Sequence, residues 1–187
     1  MKKIVSLLLM LVCAGPLYGT TPTVLNHPIS LSETALLEGE KAINMRDFLG
    51  KPVILLYGAH WCPACHKAMP ALDGASEEYA AAGVHMNVVR TATSKEYKSM
   101  TTTSLHLSTL GDDGAVLRNM AGIKVFPTFL FINGEGKLVA KSEGSPAWNT
   151  VEMRAFMTDF LSPSKSLSPS QQTWWQKVIA TLKGPFS

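Results

Sequence analysis

Apolar residues fall along this chain in short blocks whose spacing switches between strand-like and helix-like. Pro52 to Tyr57 (PVILLY) is a continuous apolar run rich in β-formers, and its length fits a strand buried on both faces. From Trp61 to Ala82 the spacing turns helical, with Pro70 expected to interrupt and kink the helix and Gly83 to end it. Val84 to Val89 (VHMNVV) alternates as a second strand. Ser94 to Met100 reads weakly as a helix, and Asp112 to Met120 more clearly, with Gly122 behind its end. Thr128 to Ile132 (TFLFI) is another strand; Asn133-Gly134 starts a turn, and Lys137 to Ala140 returns as its hairpin partner. Asn149 with Glu152 three residues on has the form of a capping box. Met153, Phe156, Met157, Phe160 and Leu161 follow at helical spacing. Upstream, Ile29 to Met45 carries strand-like runs around a turn at Glu38-Gly39-Glu40, and Thr20 to Asn26 is polar and expected to be irregular.

The order β-α-β-α-β-β-α predicts an α/β sandwich, here with boundaries at 20–161. Ser162 to Ser170 (SPSKSLSPS) has the composition of a linker. A final amphipathic helix is expected from Gln171 to Lys183, with Trp174, Trp175, Val178, Ile179 and Leu182 on one stripe. That stripe suits packing on the domain itself, a partner protein, or a membrane interface. At the other end, Lys2 and Lys3, the short apolar run Ile4 to Val12, and the breakers Gly15 and Pro16 read as a signal peptide over 1–19. Leu17 is large for the −3 position of cleavage after Gly19. A lipid anchor at Cys13 is the lesser alternative, because Val12 fits a lipoprotein signal poorly.

Composition narrows the picture further. The 187 residues are 46% hydrophobic and 17% charged, which excludes a disordered or fibrous chain. Seventeen basic against 14 acidic residues leave +3, and loss of Lys2 and Lys3 would lower this to +1. That surplus is too small for a nucleic-acid binder. There is no apolar stretch long enough to span a membrane as a helix. Once Cys13 is removed with the leader, the remaining cysteines are Cys62 and Cys65.

Those two cysteines carry the candidate chemistry. Cys62-Pro63-Ala64-Cys65 lies where a buried strand gives way to a helix. Cys62 falls at the helix N-terminus, where unpaired N–H groups and the helix dipole favour an anion and lower a thiol pKa. Cys65 is one turn on, on the same face, and can close a disulfide with Cys62 or release a substrate caught on it. Pro63 suits the first helical position, which needs no amide hydrogen. Three other readings stand beside the redox one. A structural disulfide closing so short a loop would add only about 2 kcal/mol. Zinc would want four ligands, and no second C-x-x-C exists. Cys62 to His66 also spells C-x-x-C-H, the attachment motif for c-type haem, though a strand leading into the motif is foreign to small helical cytochromes. His60 and His66 flank the cysteines and offer a nearby cation or base. His27, His85 and His106 read as surface or satisfied core residues. Trp61 is expected to shield the disulfide and serve as a platform, or simply to pack.

Two longer segments carry a family resemblance. Phe48 to Pro70 (FLGKPVILLYGAHWCPACHKAMP) resembles the entry and active-site segment of periplasmic TlpA/ResA-type thioredoxin-like proteins, and Gly122 to Gly144 (GIKVFPTFLFINGEGKLVAKSEG) is similar to their second signature. The resemblance implies a thioredoxin-like α/β fold, a central mixed sheet flanked by helices, over roughly Gly39 to Leu161. It implies Cys62 as the attacking thiolate, Cys65 as the resolving thiol and Pro127 as a cis-proline opposite them. An X-Pro bond ahead of a strand tolerates cis. Trp61, Pro63, Ala64, His66 and Phe126 would support the site or face the substrate. The implied function is a periplasmic thiol–disulfide oxidoreductase, more a reductase than an oxidase. It would need no cofactor beyond the disulfide. Its partners would be proteins bearing thiols or disulfides and a membrane-bound or soluble electron donor. Three positions depart from the family pattern: Leu56 replaces a buried Asp, Ala68 a Glu, and Phe126 a smaller residue before the proline. The alternative functions are a c-type haem electron carrier and a binding module that works through its C-terminal helix.

Overall fold

The computed structural model describes residues 19–90 and 107–162. The expected leader with Cys13, the helix expected at 94–100, most of the expected linker, and the helix expected to carry Trp174 and Trp175 fall outside the described residues. Eight strands form one mixed sheet: β1 (Thr23–Ser30), β2 (Ala35–Glu38), β3 (Lys41–Asn44), β4 (Val53–Gly58), β5 (His85–Arg90), β6 (Ser108–Gly111), β7 (Thr128–Ile132) and β8 (Lys137–Glu143), in the order β1-β8-β7-β4-β5-β6-β2-β3. β4 pairs parallel with β5 and antiparallel with β7, and is therefore central. Three α-helices are described: α1 (Pro63–Tyr79), α2 (Val116–Met120) and α3 (Val151–Phe160).

β4 is buried at every residue. The pleat sends Ile54 and Leu56 to one face and Val53, Leu55 and Tyr57 to the other, which is why its sequence is continuously apolar rather than alternating. On the first face Ile54 and Leu56 meet Met86, Val88, Phe129 and Phe131 and the inner stripes of α1 and α3. Phe131 takes Phe156 and Phe160 edge-on at centroid distances of 4.9 and 5.7 Å. Such aromatic pairs add about 1 kcal/mol each beyond area burial, and they seat α3 on the sheet. On the second face Val53, Leu55, Tyr57, Leu130 and Ile132 join Leu31, Leu36, Met45, Leu117 and Ile123.

Several elements differ from the sequence expectation. β1 occupies much of the segment expected to be irregular; it pairs with β8 from Thr23–Lys141 to Ser30–Lys137. Most of its side chains face solvent, so the sheet-edge position tolerates the polar sequence and Pro28. β6 was not expected; its four residues are held between β5 and the β2–β3 hairpin. α1 runs through Pro70 as one helix. The buried stripe of Ala68, Met69, Leu72 and Ala75 offsets the lost amide bond. A 3-10 turn at Ala80–Ala82 and left-handed Gly83 then end it. The helix expected from Asp112 to Met120 is broken, because Gly114 and Ala115 both take positive φ (69° and 55°). α3 is capped by Thr150, whose Oγ1 accepts from the Met153 amide at 3.2 Å, and not by Asn149.

The break before α2 frees Asp112 for another task. Its buried carboxylate accepts the Leu117 and Arg118 amides, each at 3.0 Å, and the Tyr57 hydroxyl at 2.7 Å. One side chain thus caps α2 and ties it to the end of β4. Burial first, then the hydrogen bond to Asp112, push the Tyr57 phenol far above its ordinary range. Asp112→Ala would leave two amides and a phenol unpaired, with an expected loss of about 3 kcal/mol in urea unfolding, against about 1 kcal/mol for Tyr57→Phe. A phenol whose pKa is raised by folding contributes stability below about pH 10, and this is lost as pH rises further. The wild type should therefore lose stability more steeply than Tyr57→Phe above that pH. Identical alkaline profiles would contradict the clasp.

Candidate active site

Strand register brings three chain segments to one end of β4. Tyr57 pairs with Thr128 at the start of β7, and Gly58 with Arg90 at the end of β5. Phe126 and Pro127 therefore stand beside the loop that leads from β4 into α1. That loop closes with the Cys62 amide donating to Ala59 O at 3.1 Å. Cys62 is the N-cap of α1 in extended conformation, and Pro63 is the first helical residue.

Cys62 and Cys65 form a disulfide with Cα atoms 5.3 Å apart. Both are nearly buried, at 5% and 4% exposure. The Cys65 amide donates to Cys62 Sγ at 3.1 Å. A hydroxyl or carboxylate commonly takes this capping role; here a sulfur does, with an amide aimed at it. The same amide and the helix dipole are placed to hold a Cys62 thiolate when the disulfide is open.

Cys65 is the inner partner. A Cβ placed on Gly58 would sit 2.7 Å from Cys65 Sγ, so the sulfur lies against the β4 backbone where any other residue would project. Behind it the lining residues include Leu56, Ala59, Met69 and Val88, with His66 and Arg90 as the polar members. Leu56 and Ala68, the two positions where the family pattern has acids, are buried in the core. The Arg90 guanidinium reaches Met69 Sδ at 3.6 Å. His66 donates from Nε2 to the His60 carbonyl at 2.6 Å, so the nitrogen that would ligate a haem iron is engaged with the backbone. Among the described residues no group of three or more His, Cys, Asp or Glu side chains is placed to hold a metal ion.

Phe126 packs against the cluster of Ala59, Cys62 and Cys65. Tyr57 and Trp61 lie 5.9 and 6.0 Å from its ring, and the Arg118 guanidinium stands 5.3 Å over it. The Phe126–Pro127 bond is cis. Trp61 is 66% exposed and Ala64 and His66 are also open to solvent; plain core packing of Trp61 is thereby corrected. Sequence reasoning missed Gly58, Asp112 and Arg118. A glycine four residues before a helix-capping cysteine was the available signal for the first. The other two depend on a long-range approach of α2 that local spacing does not reveal.

Gly58→Ala should destabilise the oxidised protein by about 2 kcal/mol in urea unfolding, because Cys65 or β4 must shift to admit the methyl group. Gly74→Ala, on α1 with open space around the position, should instead stabilise by up to about 1 kcal/mol. Equal effects would mean that the close approach at Cys65 is not a constraint.

Comparison with known proteins agrees with this geometry. The AhpC/TSA family model matches residues 29–141. The thiol-disulfide oxidoreductase ResA of Halalkalibacterium halodurans is 30% identical over 119 residues, covering 62% of this chain and 66% of that protein, just under two thirds of its length. ResA of Bacillus thuringiensis is 28% identical over 124 residues, covering 62% of this chain and 68% of that protein. Among solved structures, a thioredoxin-family thiol:disulfide interchange protein of Chlorobium tepidum superposes with a TM-score of 0.58 at 18% identity, covering 73% of this chain and 98% of that one. The exposed lipoprotein thioredoxin of Streptococcus pneumoniae gives 0.52 at 25% identity, covering 67% and 96%. The mixed sheet, its flanking helices and the cysteine pair at the start of α1 are thus a thioredoxin-like fold, and the chain belongs to the AhpC/TSA family, of the ResA/TlpA type.

Proposed function

We propose that this protein is a thiol–disulfide oxidoreductase that reduces disulfides in other proteins through Cys62 and Cys65. The observation that carries the reading is the cysteine pair itself, closed at the N-terminus of α1 with the Cys65 amide on Cys62 Sγ. In the reduced protein the Cys62 thiolate attacks one sulfur of a substrate disulfide. That S–S bond breaks, a mixed disulfide forms, and the departing substrate thiolate takes a proton. Cys65 then loses its proton and attacks Cys62 Sγ, which frees the second substrate thiol and closes the Cys62–Cys65 disulfide. Two electrons pass to the substrate, and a separate donor must return two to the pair. No cofactor beyond the cysteines enters this cycle.

The division of labour follows from position. Cys62 is the cap, with the helix dipole and an amide directed at it; Cys65 is pressed against β4 at Gly58. Without acids at Leu56 and Ala68, His66 and Arg90 are the polar side chains lining the space at Cys65. Trp61, Pro63, Ala64, Phe126 and Pro127 form the wall a substrate meets. We place the domain outside the cytoplasm, in a periplasm where the leader at 1–19 would deliver it and where such pairs cycle. The stripe with Trp174 and Trp175 would supply a contact to a membrane or partner.

Cys62→Ser should abolish reduction of insulin. Cys65→Ser should retain attack but accumulate mixed disulfides, visible by mass, because nothing remains to release them. Equal trapping by both variants would contradict the assigned roles.

A further inference from the structure

The two segments that meet at the disulfide share a charge bias. The chain has 14 acidic residues, yet none lies in 48–72 or in 114–134. These segments carry Lys67, Arg118 and Lys124 near the cysteines, and His60 and His66 flank the motif. Lys67 and Lys124 are exposed, and Arg118 is half-buried over the Phe126 ring. The bias is local, since the whole chain is only +3. Exposed apolar residues stand next to these cations in both segments. Trp61 is 66% and Val125 44% exposed, and Phe126 joins them to the disulfide.

We propose that this face selects protein segments whose reacting cysteine is flanked by acidic residues and by an apolar side chain. The proposal rests on the oxidoreductase reading and specifies its substrate. The apolar neighbour would lie on Trp61 and Val125, removing their exposed surface from water. The acidic neighbours would lie against Lys67 on one side of Cys62 and Arg118 and Lys124 on the other. Such a field raises encounter rates with anionic partners and opposes cationic ones.

The test uses two peptides, each closed by an internal disulfide, identical but for Glu or Lys on either side of the cysteines and sharing one Leu. Reduced protein should reduce the Glu peptide at least about tenfold faster than the Lys peptide at low ionic strength. The ratio should fall as salt is added, because exposed charges are screened. The double charge reversal Lys67→Glu with Lys124→Glu should bring the ratio to unity or below. Taking the ratio cancels any change in the intrinsic reactivity of Cys62. A Lys peptide reduced as fast as the Glu peptide by wild type, or a ratio unmoved by the reversal, would overturn the proposal. Hydroxyethyl disulfide, small and neutral, separates the two levels: if the wild type cannot reduce it, the oxidoreductase reading itself fails.

Discussion

The fold depends on the close meeting of α1 with the end of β4. Cys65 Sγ occupies the volume that a side chain at position 58 would fill. Glycine leaves that volume free, and any side chain there would force Cys65 or β4 to shift. Everything else at the site is arranged around that approach. β7 brings Phe126 alongside through its pairing with β4, and β5 brings Arg90 through its own. Asp112 then anchors α2 to Tyr57, so that Arg118 reaches the Phe126 ring. Site and core share one strand, because the residues that deliver Cys62 are those buried on both faces of the sheet.

Two carboxylates of the family pattern are missing from that strand end. Where the family pattern places carboxylates, this chain has Leu56 and Ala68, both absorbed into the core packed on α1. A nearby carboxylate would oppose ionisation of either cysteine through like-charge repulsion, while also offering a base. At positions 56 and 68 neither effect arises. Among the described residues, the polar side chains lining the space at Cys65 are a histidine and an arginine. What the structure offers a Cys62 thiolate is the start of α1 and the Cys65 amide aimed at its sulfur.

The sequence revealed the parts whose signals are local. The run from Pro52 to Tyr57 announced a central strand because burial on two faces leaves no polar position in it. The C-x-x-C spacing, read with that strand ahead of it and a helical pattern behind, placed both sulfurs at a helix start. The hairpin at Asn133-Gly134 followed from its turn residues. Elements defined by their neighbours were hidden. β1 is polar because it lies at the sheet edge, and β6 is four residues whose identity as a strand comes from β5 and β2. Gly114 and Ala115 broke an otherwise good helical pattern for a reason found only in three dimensions, the Asp112 clasp. Thr150 rather than Asn149 capped α3, a shift of one residue that local pattern does not resolve. At the site, Cys62, Cys65 and Phe126 stood out in the sequence; the role of Gly58 required the position of a sulfur seven residues on.

The central claim is that Cys62 is an activated nucleophile held by the start of α1, and its titration tests that claim directly. In the reduced protein, the rate of Cys62 alkylation by iodoacetamide should be followed against pH and assigned by mass. The account predicts that Cys62 reacts as a thiolate well below the ordinary thiol value of about 8.5, while Cys65 stays protected behind it. A Cys62 that titrates at the ordinary value, or a Cys65 that reacts first, would contradict it.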